Sequence, residues 1–525
     1  MKLAPIEKVF LFVAFVFFLL FSLWNIESPG LHYDEALFIN AANGKIDNAY
    51  VHSQVLGIPV MIMSYIGALK SLIYIPIFGL FGVNYYSIRI PVILISLCAI
   101  IAVFFFVKKE LSEKVAHWTA ILLLLSPLVQ MFARLDIGPT GISFLLQSLT
   151  LLVFAQFLGT KKKYNLVLIA ILLSIGVWNK IHFIWFVNAF LVGVLFVYGK
   201  SLLMSDPVQK HLKPKELQSI ILRSITKNLF FIIPFILPYL VFALIIIKWG
   251  SSIGSVPVNG EFLSLLLTKF LNLLGTISGA GFADHSIISI PVWISAIAIC
   301  IALGVHFFAY VFKAQRPLPR IITFLWVIIA VILVQILITT QAVSIWHTFA
   351  LFPMLVIVFA SAIVQISARI QSAKVGYFFK GVIAIFFITQ AAISAFVLQG
   401  YDHPTLRTWS NTISQLSEYT RKSNAKVAVI DWGIANQLRA FDPTPDKYTE
   451  IFWNITTTQD AENNINTFMN TCQSQCLFVT YDNGEDYIMT QGLKSVIQSR
   501  NLEISESYFL DGNRKQYIVY EVSNK

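Results

Sequence analysis

About eleven apolar runs, each near 20 residues long, fill most of the first 400 positions of this chain. A run of that length can cross a hydrocarbon core only as a helix, because a helix satisfies its backbone polar groups within one segment. The runs lie near 8–26, 88–107, 116–133, 138–158, 165–180, 182–199, 228–248, 289–312, 321–340, 346–366 and 377–398. Composition agrees: only 12% of the 525 residues are charged, against about a quarter in soluble domains. A soluble enzyme, a disordered scaffold and a disulfide-rich secreted module are thereby excluded. The expected fold class is a polytopic α-helical membrane protein. The first run is long and Phe-rich, and Trp24-Asn25-Ile26-Glu27 offers no small-x-small cleavage site, so it is expected to remain as an anchor.

The net charge of +11 divides unevenly. Before residue 400 there are 27 basic and 12 acidic residues; after it there are 11 and 15. With Met1 cytoplasmic, 20 of the 27 basic residues fall in inside segments and 7 in outside segments, as the positive-inside rule requires. An odd number of spans then leaves the C-terminus outside. The basic excess reports topology, and no nucleic-acid partner is expected.

Near Gly400 the composition shifts toward Asn, Asp, Ser, Thr and Gln. Lys426–Asp431, Cys476–Tyr481 and Gln516–Glu521 read as short buried strands, with helices over Thr412–Tyr419 and Gly492–Arg500. Two domains are expected: a membrane body over 1–399, whose first external loop is 27–87, and an external α/β domain over 400–525. Cys472 and Cys476 could form a small disulfide in an oxidising compartment, while Cys98 and Cys300 read as packing residues within spans.

The first external loop carries the chemistry. Ser28-Pro29-Gly30-Leu31-His32-Tyr33-Asp34-Glu35 places two carboxylates after a Pro-Gly turn at the start of an amphipathic helix. Carboxylates in a first turn complement the helix dipole and need have no other role. The same position also keeps a carboxylate ionised, fit to take a proton from an alcohol. Residues 65–91 are apolar but broken by Gly and Pro, as in helices that lie in a membrane interface. Lys70 sits among them, where a single lysine often snorkels to headgroups.

This loop, the multispan body, Ala133-Arg134-Leu135-Asp136 and Trp346-His347 through Pro353 together resemble the integral-membrane GT-C glycosyltransferases. The nearest types in pattern are the protein O-mannosyltransferases and the lipid A aminoarabinose transferases. The resemblance covers most of the membrane region and is strongest over 28–91. One departure is that Lys70 is followed by Ser71-Leu72 and not by Lys-Pro-Pro.

The resemblance implies the GT-C fold and an inverting glycosyltransferase. It would move a sugar from a polyprenyl-phosphate donor to an acceptor hydroxyl on a glycolipid, polysaccharide or protein. The setting would be the outer face of the cytoplasmic membrane, with membrane lipids as further partners. Aminoarabinose, mannose, galacturonate and glucose all fit as the sugar. Asp34 is then the expected base, and Glu35 positions the acceptor or orients the loop. Asp136 is a second acid for acceptor binding, or a helix cap before Gly138-Pro139. Arg134, His347, Lys70 and Arg89 are the candidates to meet the donor phosphate. Arg89, two residues before Pro91, reads first as an anchor of its helix at the interface.

Neither a dinucleotide fingerprint nor a P-loop is present, and no cofactor or metal is expected. Asp284-His285 is too small a set for a metal, and Lys180 in Asn179-Lys180-Ile181-His182 reads as an interface anchor. Asp431-Trp432-Gly433-Ile434 follows a strand and reads either as a turn or as part of a domain that selects the acceptor. A transporter or flippase for a lipid-linked sugar is the competing class, and would be expected to carry ionisable groups near the bilayer midplane.

Overall fold

The structure, a computed structural model, describes residues 5–44, 53–135, 137–199, 229–249, 262–278, 297–299, 301, 303–304, 319–340, 342, 344–402, 409–442, 444–472, 475–484, 486–511 and 514–523. The chain divides into two compact units. One holds Met1–Trp24, Met63–Leu69 and Ile90–Val397; the other holds Asn25–Ile62, Lys70–Arg89 and Leu398–Lys525. The first external loop, expected to belong to the membrane body, therefore folds largely with the C-terminal residues.

The first unit is helical. Six described helices are long and apolar enough to cross a membrane: Tyr85–Glu110, Thr140–Thr160, Ile181–Tyr198, Arg320–Ile338, Ile345–Arg369 and Ala373–Gly400. A seventh span results if Glu113–Leu124 and Pro127–Arg134 are counted together across their 60° bend. Pro127 explains the bend, because it has no N–H to donate and ends the preceding helix. The break is satisfied locally: the Ser126 hydroxyl accepts from Val129 N–H, and Gln130 donates to the Leu124 carbonyl at 2.8 Å.

Pro5–Leu23, Tyr164–Asn179 and Leu229–Trp249 are helices at three more of the expected runs. Most of the run at 289–312, with Cys300, lies outside the described residues. Phe262–Ser278, expected to be loop, is helical. Its Lys269 is buried and donates to the carbonyls of Ile336, Leu337 and Thr339, so it caps the Arg320–Ile338 helix instead of reaching solvent. Cys98 is exposed on its helix, not packed inside as expected. The Ala373–Asp402 helix turns Tyr377, Phe378, Ile385 and Ile388 outward, an apolar face suited to lipid.

The second unit is α/β. Its sheet has the order β5-β4-β6-β8-β7, with β4 at Lys426–Val429, β5 at Tyr448–Glu450, β6 at Gln475–Tyr481, β7 at Glu503–Asp511 and β8 at Arg514–Ser523. Strands β1 to β3 (Ser53–Val55, Ile58–Met63 and Ile66–Gly67) lie in the first loop, and the helix Leu69–Phe81 falls within 65–91, where interfacial helices were expected. In the C-terminal sheet, β5, β4 and β6 are parallel, and β8 and β7 add antiparallel edges. Side chains alternate faces along each strand. Val427, Val429, Leu477 and Val479 pack with the helices Ile413–Lys422 and Ile434–Phe441. Ala428, Cys476 and Phe478 pack with Thr458–Met469 and Ile488–Arg500 on the other face. Cys472 and Cys476 form a disulfide.

The first-loop segment is seated on this α/β layer. Gln437 donates to the Leu31 carbonyl at 2.6 Å and Asn40 to the Asn436 carbonyl at 2.9 Å. The Tyr85 hydroxyl pairs with Ser414 Oγ at 2.9 Å, and Asn411 donates to Ser28 Oγ at 3.2 Å. The approach is close enough to demand glycine at residue 30, where a Cβ would come within 1.9 Å of the Ser410 carbonyl oxygen.

Candidate functional site

The helix Tyr33–Ala42 begins with His32 as its cap. Asp34 N–H donates to His32 Nδ1 at 3.1 Å, and His32 N–H donates to Glu35 Oε2 at 3.0 Å. Two N–H groups at the helix start are thus satisfied reciprocally, the logic of a capping box with imidazole in place of a hydroxyl. Burial holds the His32 imidazole below its ordinary value of 6.5; Asp34 and Glu35 oppose that shift, and Lys70 adds to it. A neutral ring leaves Nδ1 able to accept.

Glu35 is buried and meets Arg89, whose guanidinium is fully buried, at 3.4 Å. Arg89 also donates to the carbonyls of Ile26 at 2.5 Å, Pro29 at 2.7 Å and Gly30 at 3.3 Å. It is therefore neither an interface anchor nor an open phosphate ligand. It ties the turn before the helix to the helix itself, and Glu35 neutralises it. Of the two roles expected of Glu35, this geometry fits orientation of the loop.

Asp34 differs from its neighbour. It is half-buried, and among the described residues its carboxylate accepts no hydrogen bond and makes no ion pair. Lys70 is buried against the same helix, its Nζ 4.9 Å from the Phe38 ring centre and 5.7 Å from that of Tyr74. It is not a snorkelling lysine. Ser71 Oγ donates to the Phe38 carbonyl at 3.0 Å, which fixes this contact. The departure from Lys-Pro-Pro at this point thus has a local use. His32, Asp34, Glu35, Lys70 and Arg89 form one cluster within the second unit.

Arg134 and His347 belong to the first unit. Arg134 is fully buried and donates to the carbonyls of Trp24 at 2.5 Å and Phe21 at 3.4 Å, clamping the end of the Pro5–Leu23 helix. His347 Nδ1 accepts from Ser344 N–H at 3.3 Å. Its ring lies 4.9 Å from His182 and 5.9 Å from Trp185. These rings, with Lys180, Trp346 and Gln147, line a small, partly open cavity. Both ring nitrogens of His182 are buried there, with no hydrogen-bond partner among the described residues.

The reading of Lys180 as an interface anchor does not fit a buried residue that lines a cavity. His182 has no motif of its own in the sequence and stands 165 positions from His347, so only folding brings the two rings together. Asp136, Asp284 and His285 lie outside the described residues. Among the described residues there is no group of three or more His, Cys, Asp or Glu placed to hold a metal.

Residues 71–212 match the family model described as dolichyl-phosphate-mannose-protein mannosyltransferase. No curated protein matches the chain in sequence. The fold resembles that of ArnT from Cupriavidus metallidurans, solved bound to undecaprenyl phosphate, with a TM-score of 0.57 at 12% identity over 99% of this chain and 98% of that one. It also resembles the Archaeoglobus fulgidus oligosaccharyltransferase in its apo form, with a TM-score of 0.54 at 11% identity over 93% of this chain and 71% of that one. The archaeal oligosaccharyltransferase AglB from Archaeoglobus fulgidus, solved with an inhibitory peptide and a dolichol-phosphate, gives 0.53 at 10% identity over 99% of this chain and 74% of that one. The chain is a multi-pass membrane protein whose fold is like that of these glycosyltransferases.

Proposed function

We propose that this protein is a polyprenyl-phosphate-dependent glycosyltransferase, and that Asp34 is its base. The observation that carries the assignment is the contrast between adjacent carboxylates: Glu35 is consumed by a cap and a buried guanidinium, while Asp34 is left half-buried and without a hydrogen-bond partner among the described residues. Two titratable neighbours held in different environments are suited to different tasks.

In this reading Asp34 removes the proton of an acceptor hydroxyl as its oxygen attacks the anomeric carbon of the donor sugar. The bond from that carbon to the phosphate oxygen breaks, the configuration inverts, and polyprenyl phosphate leaves with the bonding electrons. Lys70 in the second unit and His347 in the first are each candidates to meet a phosphate. Arg89 and Arg134 are assigned to positioning, because both are fully buried and donate to backbone carbonyls. Asp136 is kept as a candidate for acceptor binding. About eleven spans, a cytoplasmic Met1 and an extracytoplasmic C-terminal unit in the cytoplasmic membrane complete the proposal. The disulfide Cys472–Cys476 supports that side, since disulfides persist in oxidising compartments.

Asp34→Asn tests the assignment. Transfer from a radiolabelled polyprenyl-phosphate sugar is expected to fall about 10²- to 10⁴-fold, with protein level and donor binding retained. Full transfer by this variant removes Asp34 as the base. Translocation of the lipid-linked sugar without transfer by the wild type supports a flippase instead.

A further inference from the structure

The C-terminal sheet has a strand order of the kind at which α/β folds place ligand crevices. Helices that follow adjacent parallel strands and go to opposite faces leave a crevice at the carboxyl ends of those strands. Here β4 and β6 are adjacent and parallel. The helix after β4, Ile434–Phe441, packs with Val427 and Val429 on one face, and the helix after β6, Ile488–Arg500, packs with Ala428 and Phe478 on the other. The crevice edge is formed by Asp431-Trp432-Gly433 after β4 and Asp482-Asn483-Gly484 after β6.

The edge is held rigidly. Asn483 donates to the Asp431 carboxylate and so joins the two loops. The Tyr487 hydroxyl donates to the Ile430 carbonyl at 2.7 Å, and Trp432 N–H donates to Asp431 Oδ1 at 2.8 Å. Gly433 takes a φ of 90°, which turns the chain sharply after Trp432 and leaves that indole 42% exposed. The inner side of the indole is not idle. It packs against Tyr33, with ring centres 4.3 Å apart and planes tilted by 38°, and Tyr33 directly precedes Asp34.

We propose that this crevice is an acceptor subsite for a saccharide, with Trp432 as the stacking platform and Asp431, Asp482 and Asn483 as partners for sugar hydroxyls. Switch-point crevices commonly take phosphate, but neither loop here carries a Lys or Arg, and three Asp lie at 431, 482 and 486. An exposed indole bordered by carboxylates and an amide suits a neutral polyol with an apolar ring face. It does not suit an anion. The inference rests on the glycosyltransferase reading and narrows its acceptor to a carbohydrate, as opposed to a protein hydroxyl.

The test uses the full-length protein in lipid nanodiscs without donor, so that binding is read apart from catalysis. Cellobiose and N-acetylchitobiose serve as probes in ligand-observed NMR, with a Ser/Thr-rich peptide beside them. Trp432→Ala is expected to weaken disaccharide binding about ten-fold and Trp432→Phe about two-fold, with the affinity for bare polyprenyl phosphate unchanged. Asp482→Ala, at an exposed position, is expected to weaken it about three-fold even if the Trp432 variants fold poorly. Disaccharide binding that ignores all three changes overturns the proposal. So does binding of the peptide alone. Trp432-dependent binding in a protein that transfers from no lipid-phosphate donor would retain the subsite and remove the catalytic reading.

Discussion

At the scale of single residues, what matters is which charges are already engaged. Arg89 and Glu35 form a buried pair, and such pairs are costly to break from one side because the remaining charge stays in a low-dielectric site. Glu35→Gln preserves the shape and an acceptor for His32 N–H, so its effect isolates the charge. We expect it to destabilise the second unit by about 3 kcal/mol, measured as a shift in urea midpoint at unchanged slope. Arg89→Met removes in addition the donors to Ile26, Pro29 and Gly30. It should cost more, and the two changes together less than their sum. If Glu35→Gln leaves the midpoint unchanged, the pair is not holding the loop.

At the scale of elements, the Tyr33–Ala42 helix is fastened at its start by a titratable cap. The His32 value is lowered in the folded chain, so protonation favours the state in which the cap is open. The sign follows: the capped helix is at full strength above about pH 6.5 and weakens as pH falls from there toward the lowered value. Hydrogen exchange of amides 33–36, corrected for intrinsic rate, should therefore quicken between pH 7 and pH 5.5 in the wild type. In His32→Asn, whose side chain caps without titrating in this range, the corrected rates should stay level. Equal pH dependence in both proteins would rule out His32 as the origin.

The helical pattern of the membrane runs was legible for a simple reason: about 20 apolar residues in sequence satisfy themselves locally. The Phe262–Ser278 helix was less legible. It is shorter, with polar and apolar residues mixed, and it is fixed in part by Lys269 capping a helix distant in sequence.

At the scale of the whole molecule, the division into units changes what a truncation tests. A purely accessory C-terminal domain could be deleted with the membrane region and its first loop intact. Instead, residues 25–62 and 70–89 fold with 398–525, through contacts such as Gln437 to Leu31 and Asn40 to Asn436. Deleting 401–525 is therefore expected to abolish transfer and to make residues 25–62 sensitive to limited proteolysis, while the described membrane helices stay helical by circular dichroism. A truncated protein whose first loop resists protease would show that the loop folds unaided.

The sequence by itself determined the membrane class and the strand pattern of the tail. Each follows from local periodicity or from charge counted along the chain, and needs no partner from elsewhere. Only the tertiary structure decided which charges are engaged. Asp34 and Glu35 are adjacent and chemically alike, yet Arg89, 54 positions on from Glu35, takes one and not the other. His182 meets His347, and Tyr33 meets Trp432, through folding alone. Long-range pairing of this kind depends on where backbones cross, and residue order along a single chain does not encode that in any local pattern.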